Sequence, residues 1–381
     1  MRIPRLVLKT HREINHPGLF SVLIKHCTKP TESTFADAIG NCLAARFPKA
    51  NRKSGETEPR RIVIDKAGGK YGAWMAQQFG FLTENFFWTW KGQVIDWGTQ
   101  SREVPEAYIQ LTELERVLYL RYYLEAQGPL ILKICEFFAG HETASRHSLL
   151  QDRWIDDIIS DIYREYLQLT DDLAERTRLR QRIEGFRAKP YNLDTRPHKI
   201  DPILIPMCDL GLLQVAHADD DLIFSNTHYG GNTSAGILKE TLQNIPRMEK
   251  LFAEYEYFAV ATRALNRSTR MFDRSVHFEK LMKSLVCVYK HAIRHQTLVP
   301  ISFIIDAASA DLLCDSHVLL KPDDLEGFLD GLSKRDPLEV QFQVDYRGKR
   351  AYVKVSDALL AKLSSERVAR LPSGPGPAGA I

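Results

Sequence analysis

The chain lacks most of the marks by which a sequence announces its chemistry. Its six cysteines (Cys27, Cys42, Cys135, Cys208, Cys287 and Cys314) include no C-x-x-C pair. Their apolar or mixed surroundings read as reduced, mostly buried thiols. No window approaches the roughly eighteen apolar residues that a membrane span needs. The start, MRIPRLVLKTHREIN, has too short an apolar run, and too many charges after it, for a secretory signal. These absences together give the expectation of a soluble, cytoplasmic protein with no membrane partner. An excess of one charge is also missing. The 51 Lys and Arg residues against 48 Asp and Glu leave a net charge of +3, so bulk electrostatics do not impose a nucleic-acid partner.

Catalytic signatures are equally scarce. There is no Gly-x-Ser-x-Gly elbow, and Tyr229-Gly230-Gly231-Asn232 lacks the Lys-Ser/Thr of a phosphate loop. In HETASRH, His141, Glu142 and His147 miss the four-residue histidine spacing of a zinc protease. His291 and His295 have that spacing, but Ala292 and Ile293 stand where a catalytic glutamate would be expected between them. The acidic run Asp219-Asp220-Asp221 lies between two strand-like segments and reads as a turn rather than a divalent-metal site. Asp156-Asp157 and Asp171-Asp172 sit on or beside helices, without the strand that metal nucleases place behind their carboxylates. The nearest approach to a nuclease-like acidic-x-Lys strand is Asp345 with Lys354, with no second strand acid beside it. The expectation is no catalytic residue, no metal and no cofactor.

What is present is the composition of a folded protein, 44% hydrophobic and 26% charged, over 381 residues, enough for two or three cores. Residues 1–33 read as an irregular leader with one apolar stretch, Leu19 to Ile24. Thr31 or Ser33 caps a helix through Ile39, Leu43 and Phe47, and Pro48 ends it. A polar loop follows to Pro59. A second helix starts near Lys70, carries Trp74, Met75 and Gln78, and stops at Phe79-Gly80. Phe81 to Thr83 and Phe86 to Trp90 then read as a hairpin turning at Glu84-Asn85.

Thr112 and Glu115 form a capping box that opens a helix broken at Gly128-Pro129. Leu150 to Leu167 is amphipathic, and Leu173 to Phe186 carries arginines on its outer face. Pro202 to Leu210 is a short helix ending at Gly211, followed by a hairpin across Asp219 to Asp221. A long helix spans about Phe272 to His295, Ile301 to Ile305 is strand-like, and Pro322 opens a helix to Leu332. Leu338 to Val344 and Arg350 to Val355 alternate with period two around Asp345 to Gly348 and form a clear hairpin. The tail 372–381 is low-complexity and reads as disordered. The fold class expected is mainly α with small β-hairpins (α+β).

Basic residues are clustered: eight against three acidic ones in 46–70, eight against three in 173–200, and eight against two in 262–294. Each run is either a solvated helix face or a phosphate-contacting surface. Arg60, Arg61, Lys66, Lys70, Gln77, Gln78 and Lys91 belong to the first region, Arg176 and Arg180 to the second. Arg347, Lys349 and Arg350 sit at the last hairpin tip. Phe86, Trp88 and Trp90 alternate to one face of the first hairpin and Phe87 to the other, as core or as an aromatic platform for a partner. Phe87, Trp88 and Trp90 are the partner-binding candidates.

The order of elements in 34–97, and less clearly in 196–225 and 275–355, resembles winged helix-turn-helix domains. The stretch Leu111-Thr-Glu-Leu-Glu-Arg-Val-Leu-Tyr-Leu with its glycine break resembles accessory proteins of prokaryotic mobile-element and antiviral defence systems. The resemblance implies tandem winged helices joined by a helical bundle: 1–33 leader, 34–100 winged helix, 101–236 helical domain with a second winged helix, 237–371 a third, 372–381 tail. It implies a non-catalytic DNA-binding subunit of a larger nucleoprotein complex, with duplex DNA and protein subunits as partners. Two other readings stand beside it: a protein–protein adaptor that docks subunits through winged helices, and a DNA-processing nuclease with an unrecognised site.

Overall fold

Two stretches of chain, 1–269 and 270–381, each keep their packing contacts largely to themselves. The computed structural model describes residues 10–47 except 12 and 31, 63–99, 110–188 except 152, and 197–233 except 219, 220, 230 and 231. It also describes 262, 268–294, and 298–361 except 336 and 347. The polar loop before Pro59 and the tail lie outside the described residues. The architecture is mainly helical, with small sheets of two or three strands.

In the first unit, α1 (Gly18–Val22) runs into a π-helical turn, Leu23–Cys27, and Leu19, Phe20, Val22, Leu23 and Ile24 are all buried. That stretch is a core helix, not part of an irregular leader. Cys27 is joined to Cys42 by a disulfide, with Cα atoms 5.6 Å apart, which corrects the expectation of six reduced thiols. Cys42 lies on α2 (Ala36–Arg46), which packs on α3 (Lys66–Gln78). The crossing is backbone on backbone: a Cβ on Gly69 would lie 2.7 Å from the Gly40 Cα. α3 begins at Lys66, earlier than expected, because Asp65 accepts from the Gly68 amide at 2.6 Å and caps it.

The hairpin expected over 81–90 does not form. A single bridge, Leu82 to Trp88, is all the pairing there, and Trp90–Gly98 is a helix, α4. Thr89 is the reason: its hydroxyl donates to the Gly80 carbonyl at 2.5 Å, and its oxygen accepts from the Gly92 amide at 3.3 Å, capping α4. Phe86 turns the chain at φ +62° and is buried.

α5 (Glu113–Gly140) opens with the expected capping box, in which Thr112 accepts from the Glu115 amide and Glu115 accepts from the Thr112 amide. It kinks at Gln127, two residues before Pro129, where the helical ladder loses a donor. Next come β1 (Thr143–Ser145), α6 (Arg146–Gln151), α7 (Trp154–Leu169), α8 (Leu173–Ala188) and α9 (Pro197–Asp209). Gly211 takes φ +79° and releases the chain into the hairpin of β2 (Leu213–Ala218) and β3 (Asp221–Asn226). β1 pairs antiparallel with β3, giving the sheet order β1-β3-β2. A two-stranded pair, β4 (His228–Tyr229) and β5 (Asn232–Thr233), follows.

The second unit opens with β6 (Arg270–Met271) and α10 (Arg274–Ala292), capped by Asp273. A short strand β7 (Val299–Pro300) leads into α11 (Ile301–Ser316), so the strand-like run Ile301 to Ile305 is helical. Ile301, Phe303, Ile304 and Ile305 are buried there, and tertiary packing overrides the β preference of the isoleucines. β8 (Val318–Leu319) pairs parallel with β6. α12 (Pro322–Arg335) precedes the expected hairpin, β9 (Val340–Val344) and β10 (Arg350–Val355). β7 pairs with β10, and the sheet order is β7-β10-β9.

The two three-stranded sheets are therefore built alike. A short strand directly after one helix pairs with the last strand of a hairpin that follows a later helix. In the first unit α7 and α8 intervene between the equivalents of α11 and α12.

Candidate nucleic-acid and partner surfaces

The helix α3 and the turn after it were expected to present a nucleic-acid face, and Lys70, Gln77 and Gln78 there are bound within the protein instead. Lys70 pairs with Asp37 on α2 at 2.9 Å. The Gln77 amide donates to the carbonyls of Thr83 and Glu84, both at 3.0 Å, and so holds the 83–86 turn. Gln78 donates to the Trp74 carbonyl at 3.3 Å. Lys91 stands on α4, not on a wing. It is mostly buried, pairs with Glu125 of α5, and lies 5.4 Å above both the Trp90 and Tyr122 rings. Lys66, in the first turn of α3, is exposed. Arg60 and Arg61 lie outside the described residues.

The expected aromatic platform is likewise not a strand face. Trp88 donates its indole N–H to Thr28 at 2.8 Å, and Trp90 is the first residue of α4. Phe87, Trp88 and Trp90 are all half-buried. Phe20 packs on Phe79 and Phe81, and these two meet Tyr119, Tyr122 and Tyr123 of α5 tilted or edge-on, as one aromatic core.

On α8 the arrangement is different. Arg176 donates to the Thr170 carbonyl at 3.1 Å and so caps the end of α7. Arg178, Arg180 and Arg182 are exposed, and Arg182 also lies 5.6 Å over the Tyr163 ring. Leu179 and Ile183 pin the helix from below. At the tip of the last hairpin Lys349 is exposed, Arg350 pairs with Asp330 at 2.5 Å, and Arg347 lies outside the described residues.

The helices that lead into the two hairpins differ in what they expose. α9 is covered in every direction, since the eight consecutive residues Ile200 to Met207 are buried. Two ion pairs anchor it: Arg146 of α6 grips Asp201 through two bonds of 2.7 and 2.6 Å, and Lys199 meets the buried Asp156 of α7 at 2.7 Å. α12 keeps Leu325, Phe328 and Leu329 inside and shows Asp323, Asp324 and Glu326 to solvent.

The acidic and histidine clusters hold structure. Asp221 accepts from the His147 amide at the start of α6. His141 bonds the Phe137 carbonyl, and His147 bonds Gln151. Asp219, Asp220 and His295 lie outside the described residues. Among the described residues no group of three or more His, Cys, Asp or Glu is gathered closely enough to hold a metal ion. Burial pushes the Cys135 thiol up to about 12, so it stays protonated and inert. No helix among the described residues is long and apolar enough to cross a membrane. No family model, curated protein or solved structure matches the chain.

Sequence reasoning missed the ion pairs that occupy Lys70 and Lys91, because their acids lie on other helices. It also missed Thr89, whose Thr-x-x-Gly start was masked by the β-rich aromatics before it. Asp201 and Arg146 are 55 positions apart and carry no local signal.

Proposed function

We propose that the chain is a non-catalytic adaptor whose two small sheets and their helices, 130–226 and 270–355, are winged helices that dock protein partners within a larger assembly. The winged-helix reading is supported by the shared order of elements and by the first strand of each sheet pairing with the last. The adaptor reading rests on one observation, the state of the third helix. A winged helix that reads duplex DNA lays that helix in the major groove. α9 has no free side to lay there, and α12 offers carboxylates that phosphate repels. The test is purification from the cells that make it, alongside anisotropy of labelled duplex DNA with the isolated chain. A stoichiometric protein partner, and no DNA binding at physiological salt, is the expected outcome. Tight binding by the chain alone, with a steep salt slope, overturns the reading.

A second reading, a DNA-contacting subunit of a nucleoprotein complex, is favoured by α8. Arg178 and Arg182, one turn apart, and Arg180 across the helix from them are exposed, flanking the buried Leu179 and Ile183 that hold it from beneath. On this reading binding is sequence-independent, and the triple substitution R178E/R180E/R182E abolishes it at low salt.

A further inference from the structure

We propose that β9 is a dimerisation edge, which pairs antiparallel with β9 of a second copy of this chain about a twofold axis through Phe342. This goes beyond the adaptor reading and does not depend on it.

The first observation is that, among the described residues, β9 is the outer strand of its sheet, bonded to β10 on one side only. Exposed edges are normally blunted by lysine, proline, a bulge or an inward charge. Val340-Gln341-Phe342-Gln343-Val344 has none of these, and the one irregularity of the hairpin falls in β10, between Arg350 and Tyr352.

The second observation is the sequence of the strand, which reads the same in both directions. A twofold through Phe342 sets Val340 against the partner's Val344, Gln341 against the partner's Gln343, and Phe342 against itself. Side chains alternate across a strand, so the valines and the phenylalanine meet on one face and the glutamines on the other. A glutamine amide both donates and accepts, so two facing amides satisfy each other. The strand carries no charge, and so suits an uncharged partner strand. Isologous contact of this kind closes as a twofold dimer.

The third observation is what the edge leaves uncovered. Val344 is 60% exposed, Leu338 81% and Tyr346 88%, on and just beside this one strand. Leu338 lies four positions before Phe342 and Tyr346 four after it, in the turns at the two ends of the strand, so the same axis brings the end of β9 that carries Leu338 to the end of the partner's that carries Tyr346. The flanking acids Glu339 and Asp345 would also be opposed. Asp345 is turned away into its own turn, where it accepts from the Lys349 amide at 2.9 Å.

The register makes a charge test possible with the full chain. Gln341 and Gln343 are exposed, so their replacement leaves the core alone. Gln341 sits opposite Lys354 of β10 and Gln343 opposite Tyr352, so Glu at 341 suits its own hairpin. In Q341E/Q343E like charges oppose one another twice across the axis. In Q341E/Q343K opposite charges do so, and the two variants differ only at position 343.

Sedimentation velocity over a concentration series reads the dimer constant, with circular dichroism as the check on folding. The wild-type chain dimerises, Q341E/Q343E dissociates at least about tenfold more readily, and Q341E/Q343K associates as tightly as wild type or more so. A wild-type chain that stays monomeric up to the order of 100 µM overturns the proposal, as does equal dimerisation of the two variants.

Discussion

At the scale of single residues, the crossing of α2 and α3 rests on two glycines whose missing side chains let the backbones touch. G69A would place its Cβ 2.7 Å from Gly40 Cα, and neither backbone is free to yield. The substitution is expected to cost about 1–3 kcal/mol, read from urea unfolding. Gly327 is the control. It lies on α12 with open space where a Cβ would stand, and G327A is expected to stabilise by up to about 1 kcal/mol. Asp209 gives a pH dependence. Burial pushes its carboxyl up, against the hydrogen bond and charge of His16 and the charge of Arg116. An acid raised in the folded state adds stability below its ordinary pKa, and that contribution is lost as pH rises through the raised value. D209N is free of this loss. Its melting temperature relative to wild type is expected to climb as the pH rises above about 4.

At the scale of elements, the features legible in the sequence are those whose cause is local. The capping box of α5 is written in Thr112 and Glu115, three residues apart, and the structure forms it as read. T112A is expected to cost about 1 kcal/mol in chemical denaturation. The last hairpin was legible because period-two alternation flanks a Gly turn, and Gly348 takes φ +75° there. The first hairpin was misread because Phe81 to Trp90 is rich in strand-forming aromatics. What decides that segment is distant: Phe79, Phe81 and Trp90 pack tilted or edge-on against the tyrosines of α5, and Lys91 reaches Glu125. K91E therefore sets two carboxylates together in a mostly buried place. Its expected effect is a loss of about 3 kcal/mol or more of stability, seen as an earlier unfolding midpoint. The strands β1 and β7, of three and two residues, are too short to show any period, so neither sheet closure was legible.

At the scale of the whole molecule, the division at 269/270 makes a prediction of its own. A fragment spanning 268–361 carries α10, α11, α12 and all strands of its two sheets. It is expected to fold alone and to melt cooperatively by far-ultraviolet circular dichroism; a broad, sloping melt counts against this.

The way both sheets close has a consequence for the birth of the protein. Thr143 must wait for Ser225, and Val299 for Val353, before either sheet has all its strands. A ribosome supplies residues from one end at a steady pace, so in each of these two sheets the strand made first waits for the strand made last. Until Asn226 has emerged, the apolar residues of α9 have no finished sheet to lie against. The nascent chain thus spends the translation of some eighty residues with its middle open, the interval in which a chaperone or a neighbouring nascent chain would find it.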